Sequence, residues 1–507
     1  MRLKEILEEL PCREVRGTAN PDISAVSYDS RQVIPGSLFV AVKGRRHDGH
    51  DFLADALGRG AVAVVVERPS DDEAAVPQVV VEDARRALAV VAAVFYRHPG
   101  RELAVVGVTG TNGKTTVAFL LDGIFRAAGY KTALASTVKN VVAGEERPAR
   151  LTTAEAPELQ AMLREAVDAG CGIAVVEVSS HALALSRVAG TPFAAAAFTN
   201  LSHDHLDLHG DMDSYFAAKA SLLEQLAEGA PAVVNADDAY GRKLAASLSG
   251  RKVTYGAAEA ASDYRAANVS SGWGGLSFTL HCPDGVAVEV ASPLHGSFDV
   301  LNCTAAFAVA RELGVAADVA LKGLAETPPV PGRLELVDVN DKLRVVIDYA
   351  HSPDSMEKAL AEIRGLGAGR VVAVFGCTGD RDVEKRPVMG ALARRYADYA
   401  VVTTDDPYYE DPAAVARDVA AGIIAEGGAE PDDYRVILDR AEAIRFALSS
   451  APPDRATVIA VLGKGHEEVQ KVKGSEVPYS DRQTVEEIVT ELGLRRAPGA
   501  RRARRRA

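Results

Sequence analysis

The stretch Gly107-Val-Thr-Gly-Thr-Asn-Gly-Lys-Thr-Thr116 constrains this chain more than any other. An apolar run, Leu103–Val108, precedes it and reads as a buried strand. Val117–Phe125 follows with apolar residues at helical spacing. Strand, glycine-rich loop, Lys-Thr and helix together form the context of a phosphate-binding loop. Glycines let backbone N–H groups converge on phosphate oxygens, and the helix N-terminus adds partial positive charge. Lys114 is placed to reach the outer phosphates and Thr115 to offer a hydroxyl to Mg²⁺, with Gly110, Thr111, Asn112, Gly113 and Thr116 completing the cradle. The glycine spacing is unusual: the first-glycine position, counted back from Lys114, is Val108, with Gly107 and Gly110 on either side.

The remainder reads as an α/β protein of several domains, as 507 residues suggest. Up to about residue 100 it offers short strands at Ser24–Arg31, Ser37–Val42 and Ala61–Val66. Gly172–Val178 and Phe193–Asn200 are candidate buried strands after the loop, and Thr327–Gly332, rich in proline, reads as a linker. Beyond it, apolar strands at Leu343–Ile347, Val371–Phe375, Tyr399–Thr403, Tyr434–Ile437 and Thr457–Leu462 alternate with helical patterns. That alternation indicates a parallel, doubly wound sheet. Four of these strands run into polar clusters: Asp348–His351, Gly376–Asp382, Asp405–Pro407 and Gly463–Glu467. The carboxyl edge of an open α/β sheet is where ligands bind, so four clusters there predict a binding crevice.

Net charge of −13 and a pI near 5.4 argue against a general nucleic-acid binder. Five scattered cysteines without CxxC spacing suit reduced thiols in a cytoplasm. No apolar run is long enough to cross a bilayer, and acidic residues occupy the place of a signal-peptide core. The basic end, residues 495–507, reads as a disordered solvated tail.

Glu177, at a strand end, can coordinate Mg²⁺ beside Thr115 as the acidic partner of a phosphate loop does. His203, His205 and His209 crowd one segment. Their run is one residue too long for the HxHxDH metal motif, and the residues alone leave open which of them meets a metal. Lys219 lies in an apolar helical stretch, Tyr215–Leu223. Either its ammonium reaches solvent along the aliphatic stem, or burial lowers its pKa and exposes a neutral amine.

These residues resemble the Mur ligase family over positions 20 to 490. The match rests on Asp29–Arg31, Pro35–Phe39, Asp48–His50, the loop Thr109–Thr116, Thr152-Thr153, Glu177–His181 and Thr199–Leu201. It continues through Asp204–Asp207, Asn235–Asp238, Gly332–Glu335, Asp348–His351 and Gly463–Glu467. The resemblance implies an ATP- and Mg²⁺-dependent amide ligase of peptidoglycan precursor synthesis. The D-glutamate carboxylate of UDP-N-acetylmuramoyl-L-alanyl-D-glutamate would attack the γ-phosphate, and a diamino acid, meso-diaminopimelate or L-lysine, would displace phosphate from the acyl phosphate.

It implies three domains: a UDP-substrate-binding domain at 1–100, an ATP-binding phosphate-loop domain at 101–331, and a Rossmann-like amino-acid-binding domain at 332–494. Residue by residue, Ser30 would touch the UDP part, and Thr152, Thr153, Ser179 and Arg187 the muramoyl dipeptide. Asn302, Arg333 and Asp348 would contact the nucleotide, Thr115 and Glu177 one Mg²⁺, and His205 a second. Lys219 would be carbamylated. Arg381, Asp405, Asp406, Tyr408, Gly463 and Glu467 would face the amino acid. The expected partners are small molecules only, for a cytoplasmic monomer.

Two departures stand out. Asp299 replaces an Asn common in the family. Asp405-Asp-Pro-Tyr408 stands where diaminopimelate-adding relatives usually show Asp-Asn-Pro-Arg, so Asp406 brings negative charge and Tyr408 removes a cation. Two rival readings share the loop: another ligase of the superfamily, such as folylpolyglutamate synthase, and a nucleotide-gated regulatory protein. The Asp29–Arg31 and Asp48–His50 motifs speak against the first, and Arg381 with Glu467 against the second.

Overall fold

The strand that feeds the glycine loop, Ala104–Thr109, lies inside an eleven-stranded sheet of the computed structural model. The structure describes residues 1–44, 47–70, 76–204, 206–258 and 261–495, and of residues 206 and 207 the backbone alone. Seven strands of this sheet run parallel: Tyr264–Gly272 follows Lys252–Gly256 at one end of the run, and the other six take the order Thr132–Ala135, Ile173–Glu177, Ala104–Thr109, Ala195–Phe198, Ala232–Asn235, Lys252–Gly256. These six are buried along their length for the most part, as parallel strands covered on both faces must be. The register pairs Glu177 with Val108 and Phe198 with Thr109, so the ends of both neighbours flank the loop. The helix Lys114–Ala127 begins directly at Lys114 because Gly113 takes a left-handed conformation, φ 85°, that turns the chain into it.

The chain divides into two compact units. One comprises 1–269, 278–292 and 300–327, the other 270–277, 293–299 and 328–507. The first unit also carries a five-stranded sheet in the order Glu14–Arg16, Gln78–Val80, Ala61–Val66, Ser37–Val40, Ala25–Ser27. The helix Ala84–Phe95 packs Ala87, Leu88, Val91 and Val94 on one face of it, against Leu38, Val40, Ala63 and Val65. The strand expected over Ser24–Arg31 stops at Ser27. Asp29 accepts the Arg31 N–H at 3.0 Å and caps a 3₁₀ turn, Ser30–Gln32, ending the extended run.

The second unit is built on six strands in the order Glu335–Asp338, Leu343–Asp348, Thr457–Leu462, Arg370–Phe375, Tyr399–Val402, Tyr434–Val436, of which only the first is antiparallel to its neighbour. Helices Pro353–Gly365, Lys385–Tyr396 and Pro412–Ala425 contribute to the core on one face. Arg440–Ser449 and Asp481–Glu491 do so on the other, giving the doubly wound arrangement. The four strands that end in polar clusters are consecutive and parallel, so the clusters share one edge. All five cysteines are free thiols, and no helix among the described residues is long and apolar enough to span a membrane.

Candidate active site

Close packing fixes the loop in the first unit. A Cβ at Gly110, where φ is 146°, would land on the Thr199 hydroxyl, and one at Gly113 would land on the Asn302 side-chain oxygen. Both positions therefore require glycine. Asn200 clamps the loop backbone: its carbonyl accepts from Thr111 N at 2.8 Å and its side chain accepts from Asn112 N at 3.0 Å. The Thr199 hydroxyl donates to Asn112 O at 2.6 Å, and Lys114 Nζ donates to Thr111 O at 2.9 Å. Asn302, buried on the helix Asp299–Glu312, is thus brought against Gly113, while Thr111 meets the Tyr215 hydroxyl at 3.2 Å.

Glu177 joins this loop to a second group. Its Oε1 accepts from Thr115 Oγ1 at 3.0 Å, and its Oε2 accepts from the backbone and hydroxyl of Thr137, each at 2.9 Å. Thr137 Oγ1 also lies 3.1 Å from Thr152 Oγ1. Thr153 donates to the Glu177 carbonyl at 2.8 Å and accepts from Ser179 N at 3.0 Å. Arg187 donates to Thr153 O at 3.0 Å and pairs with Glu155 at 2.8 Å. Thr152, Thr153, Ser179 and Arg187 therefore stand beside the carboxylate that touches the phosphate loop. Thr115 and Glu177 present oxygen donors only, the set that suits Mg²⁺. No cluster of three or more His, Cys, Asp or Glu side chains forms a metal site among the described residues.

Lys219 is 1% exposed on the helix Met212–Ala220; its Nζ donates to Gly110 O at 2.5 Å and sits 4.7 Å from the Tyr215 ring centre. The surface-reaching alternative for this lysine is overturned: the apolar helix face carries it into the core under the loop. Burial, with Lys114 as a second cause, holds its pKa well below the usual lysine value. His205 lies outside the described residues. His203 is exposed, and the His209 ring packs 5.0 Å from Tyr215.

In the five-stranded sheet, Ser30 is buried and bonds Asp55, whose carboxyl is held low by that bond and then by Arg59. Asp48 accepts from His50 N at 3.0 Å and from its ring at 2.7 Å, and pairs with Arg68 at 2.6 Å. The other ring nitrogen of His50 accepts from Glu67 N at 3.0 Å, so this motif braces the sheet's edge.

The second unit gathers the remaining candidates along its strand edge. Asp348 accepts from Leu334 N at 2.6 Å and Ala350 N at 2.8 Å, and burial raises its pKa against the pull of Arg333. Arg333 lies 5.0 Å over the Tyr349 ring, and Arg381 lies 5.7 Å over that of Tyr408. Asp405 accepts from Asp406 N at 2.7 Å, and a Cβ at Gly463, φ 112°, would meet its Oδ2 at 2.5 Å. Asp406 Oδ1 and Glu467 Oε2 each accept from Lys464 Nζ at 2.8 Å. Lys464 is fully buried.

Comparison with known proteins matches this organisation in order. "Mur ligase family, catalytic domain" covers residues 22–96, "Mur ligase middle domain" 108–310 and "Mur ligase, glutamate ligase domain" 332–465. A UDP-N-acetylmuramoyl-L-alanyl-D-glutamate--2,6-diaminopimelate ligase of Geobacillus kaustophilus is 43% identical over 499 residues, spanning 97% of this chain and 100% of that one. The chain belongs to the Mur ligase family. A UDP-N-acetylmuramyl-tripeptide synthetase of Roseiflexus sp. is also 43% identical, over 97% of this chain and 99% of its own. A solved structure of a UDP-N-acetylmuramoyl-L-alanyl-D-glutamate--2,6-diaminopimelate ligase superposes with a TM-score of 0.65 at 29% identity, over 93% of this chain and 95% of that one.

Two residues of this Mur ligase escaped the reading of its sequence. Thr137, in an ordinary Ser-Thr turn, holds Glu177 and Thr152 together. Lys464 stands between two glycines, which is the only signal of its inward turn. Its ammonium also changes the charge argument at Asp406: the carboxylate that replaces the usual Asn is compensated by a buried cation. Asp299 accepts from Gly296 N at 3.2 Å, close to the start of its own helix.

Proposed function

We propose that this Mur ligase adds meso-diaminopimelate to UDP-N-acetylmuramoyl-L-alanyl-D-glutamate at the expense of ATP. The observation that carries the reading is Glu177. One of its carboxylate oxygens is bonded to Thr115 of the phosphate loop and the other to Thr137, next to Thr152. A substrate held by Thr152, Thr153, Ser179 and Arg187 would have its carboxylate beside the outer phosphate of a nucleotide held by residues 110–116 and Asn302. Arg187 is the cation suited to an acidic peptide. The name of the Geobacillus kaustophilus relative, 43% identical, supports both the acceptor and the amino acid.

The D-glutamate carboxylate attacks the γ-phosphorus, the β–γ bond breaks, and ADP leaves. Lys114 stabilises charge on the transferring phosphoryl group, and Thr115 and Glu177 would hold a Mg²⁺ that would supply further charge neutralisation. The amine then attacks the acyl phosphate, phosphate departs, and the ammonium proton is lost as the amide forms. Lys219, kept neutral by burial, is set to take up CO₂ as a carbamate, releasing a proton and turning a nitrogen into a carboxylate-type ligand. Arg333 and Asp348 serve the nucleotide, and Ser30 the UDP moiety. Arg381, Asp405, Asp406, Gly463 and Glu467 serve the diamino acid, with the Tyr408 ring against Arg381.

The test is ADP release with the UDP-muramoyl dipeptide and either meso-diaminopimelate or L-lysine, with the product weighed by mass spectrometry. ADP release that requires both substrates and favours diaminopimelate is expected. Release with a folate acceptor, or none with the dipeptide, would overturn the reading.

A further inference from the structure

Lys464 is the one fully buried lysine of the second unit among the described residues, and its position is built into the chain. Gly463 and Gly465 flank it with φ of 112° and 55°; a Cβ at the latter would lie 2.8 Å from Tyr349 Cβ. These two turns, after the strand Thr457–Leu462, drive the side chain beneath the loops instead of over them. There it spans from Glu467 Oε2, on its own loop, to Asp406 Oδ1, on the loop after Tyr399–Val402. The strand Arg370–Phe375 lies between those two strands in the sheet. Its loop is fastened to the same place, since Gly379 N donates to Asp406 O at 2.8 Å. Lys471 N adds a second bond to Asp406 Oδ1 at 3.0 Å.

We propose that Lys464 is a positioning residue for amino-acid selection: its buried ammonium latches Asp406 to Glu467 and so fixes the acceptor oxygens that receive the distal ammonium of the incoming diamino acid. Lys464 itself has no exposed surface and cannot touch that substrate. It occupies one oxygen of each carboxylate. Asp406 Oδ2 and Glu467 Oε1 accept no hydrogen bond from any other described residue. Two carboxylates sharing one cation leave a net negative charge, the complement of an ammonium. Burial raises the Glu467 pKa, and Lys464 is the first influence opposing it, so the latch also favours the charged acceptor. Lys464 is pulled down by burial, yet Asp405, Glu467 and the bonds to Asp406 and Glu467 hold its pKa above the ordinary value, so it stays a cation.

This inference rests on the amino-acid reading of the strand edge, and the experiment separates the two. Wild type, Lys464→Met and the double variant Lys464→Met with Asp406→Asn are compared on meso-diaminopimelate and on 2-aminopimelate, the same chain without the distal amine. The double variant guards against misfolding of the single one, which leaves the buried Asp406 and the part-buried Glu467 uncompensated. Wild type is expected to prefer diaminopimelate by at least about tenfold in kcat/KM, because a site that bonds an amine rejects the analogue lacking it. Both variants should lose at least about tenfold of that preference through KM, with KM for ATP and for the UDP substrate within about threefold of wild type. A folded variant that keeps the preference within about threefold, or one that loses all three KM values alike, overturns the positioning role. A wild type that ligates neither amino acid overturns the amino-acid reading and this inference with it.

Discussion

Lys219→Met separates what this lysine does for the fold from what it does for the reaction. Methionine matches the length of the stem and fills the same space, so the change removes one amine and its bond to Gly110 O. Leaving that carbonyl without its partner costs about 1–3 kcal/mol. The opposing term depends on pH. Because burial holds the folded pKa well below 10.5, between those two values the folded protein carries a neutral amine where the unfolded chain carries an ammonium. The unfolded state then binds more protons, so wild-type stability rises with pH from the lowered value up to 10.5, with a slope of at most about 1.4 kcal/mol per pH unit. Lys219→Met lacks that slope. Urea unfolding in CO₂-free buffer should therefore show the variant gaining on wild type as pH falls from 9 to 6. Ligation, read as ADP release, should drop on the order of 10²-fold or more at every pH, as for loss of a preorganised charge stabiliser. A stability difference that does not move with pH would refute the buried neutral amine. Turnover above a third of wild type would refute its place in the reaction.

Other substitutions probe separate parts of the chain. Lys114→Ala should lower ADP release on the order of 10²-fold or more, since no other cation in the loop can replace the phosphate contact proposed for it; retention of a third of the rate would exclude that role. Tyr408→Phe keeps the ring beneath Arg381 and should leave the diaminopimelate KM within about twofold. Tyr408→Ala forgoes a cation–π contact of about 0.5–1 kcal/mol and should raise it about two- to fivefold. Equal effects of the two changes would mean the ring does not hold Arg381. Asp48 is held at about 2 by the His50 backbone and ring and by Arg68, below its ordinary 3.8. The stability that Asp48→Asn forfeits should be full above about pH 4 and vanish as pH falls through 2; a gap constant down to pH 2 in urea titrations would contradict this.

What the sequence discloses is set by how local the physics is. The loop at Gly107–Thr116 is legible because glycine, lysine and threonine act within one strand–turn–helix unit. The strand-edge clusters are legible because strands declare themselves by composition and the edge follows from parallel topology. Glu177 is legible for the same reason, as the last residue of an apolar run. Lys219 is not, because whether an amphipathic side chain surfaces depends on what packs over its helix, here Tyr215 and the loop carbonyl of Gly110. Thr137 and Lys464 are further still from view. Their partners lie 40 and 58 residues away, and neither residue type announces such a bond. Asp406, read alone, suggests an uncompensated charge; its meaning reverses only when Lys464 is found against it.

The loops that carry the strand-edge residues hang from neighbouring strands, yet the chain returns to each through a helix on the sheet's face. Each loop is therefore an insertion point with rigid anchors, and its length or composition can change without disturbing the buried strands that hold the others. Selectivity at such an edge is modular: Gly376–Asp382, Thr403–Tyr408 and Gly463–Glu467 can each be exchanged as a cassette. The couplings that cross between cassettes, such as the one between Asp406 and residue 464, set which exchanges must be made together.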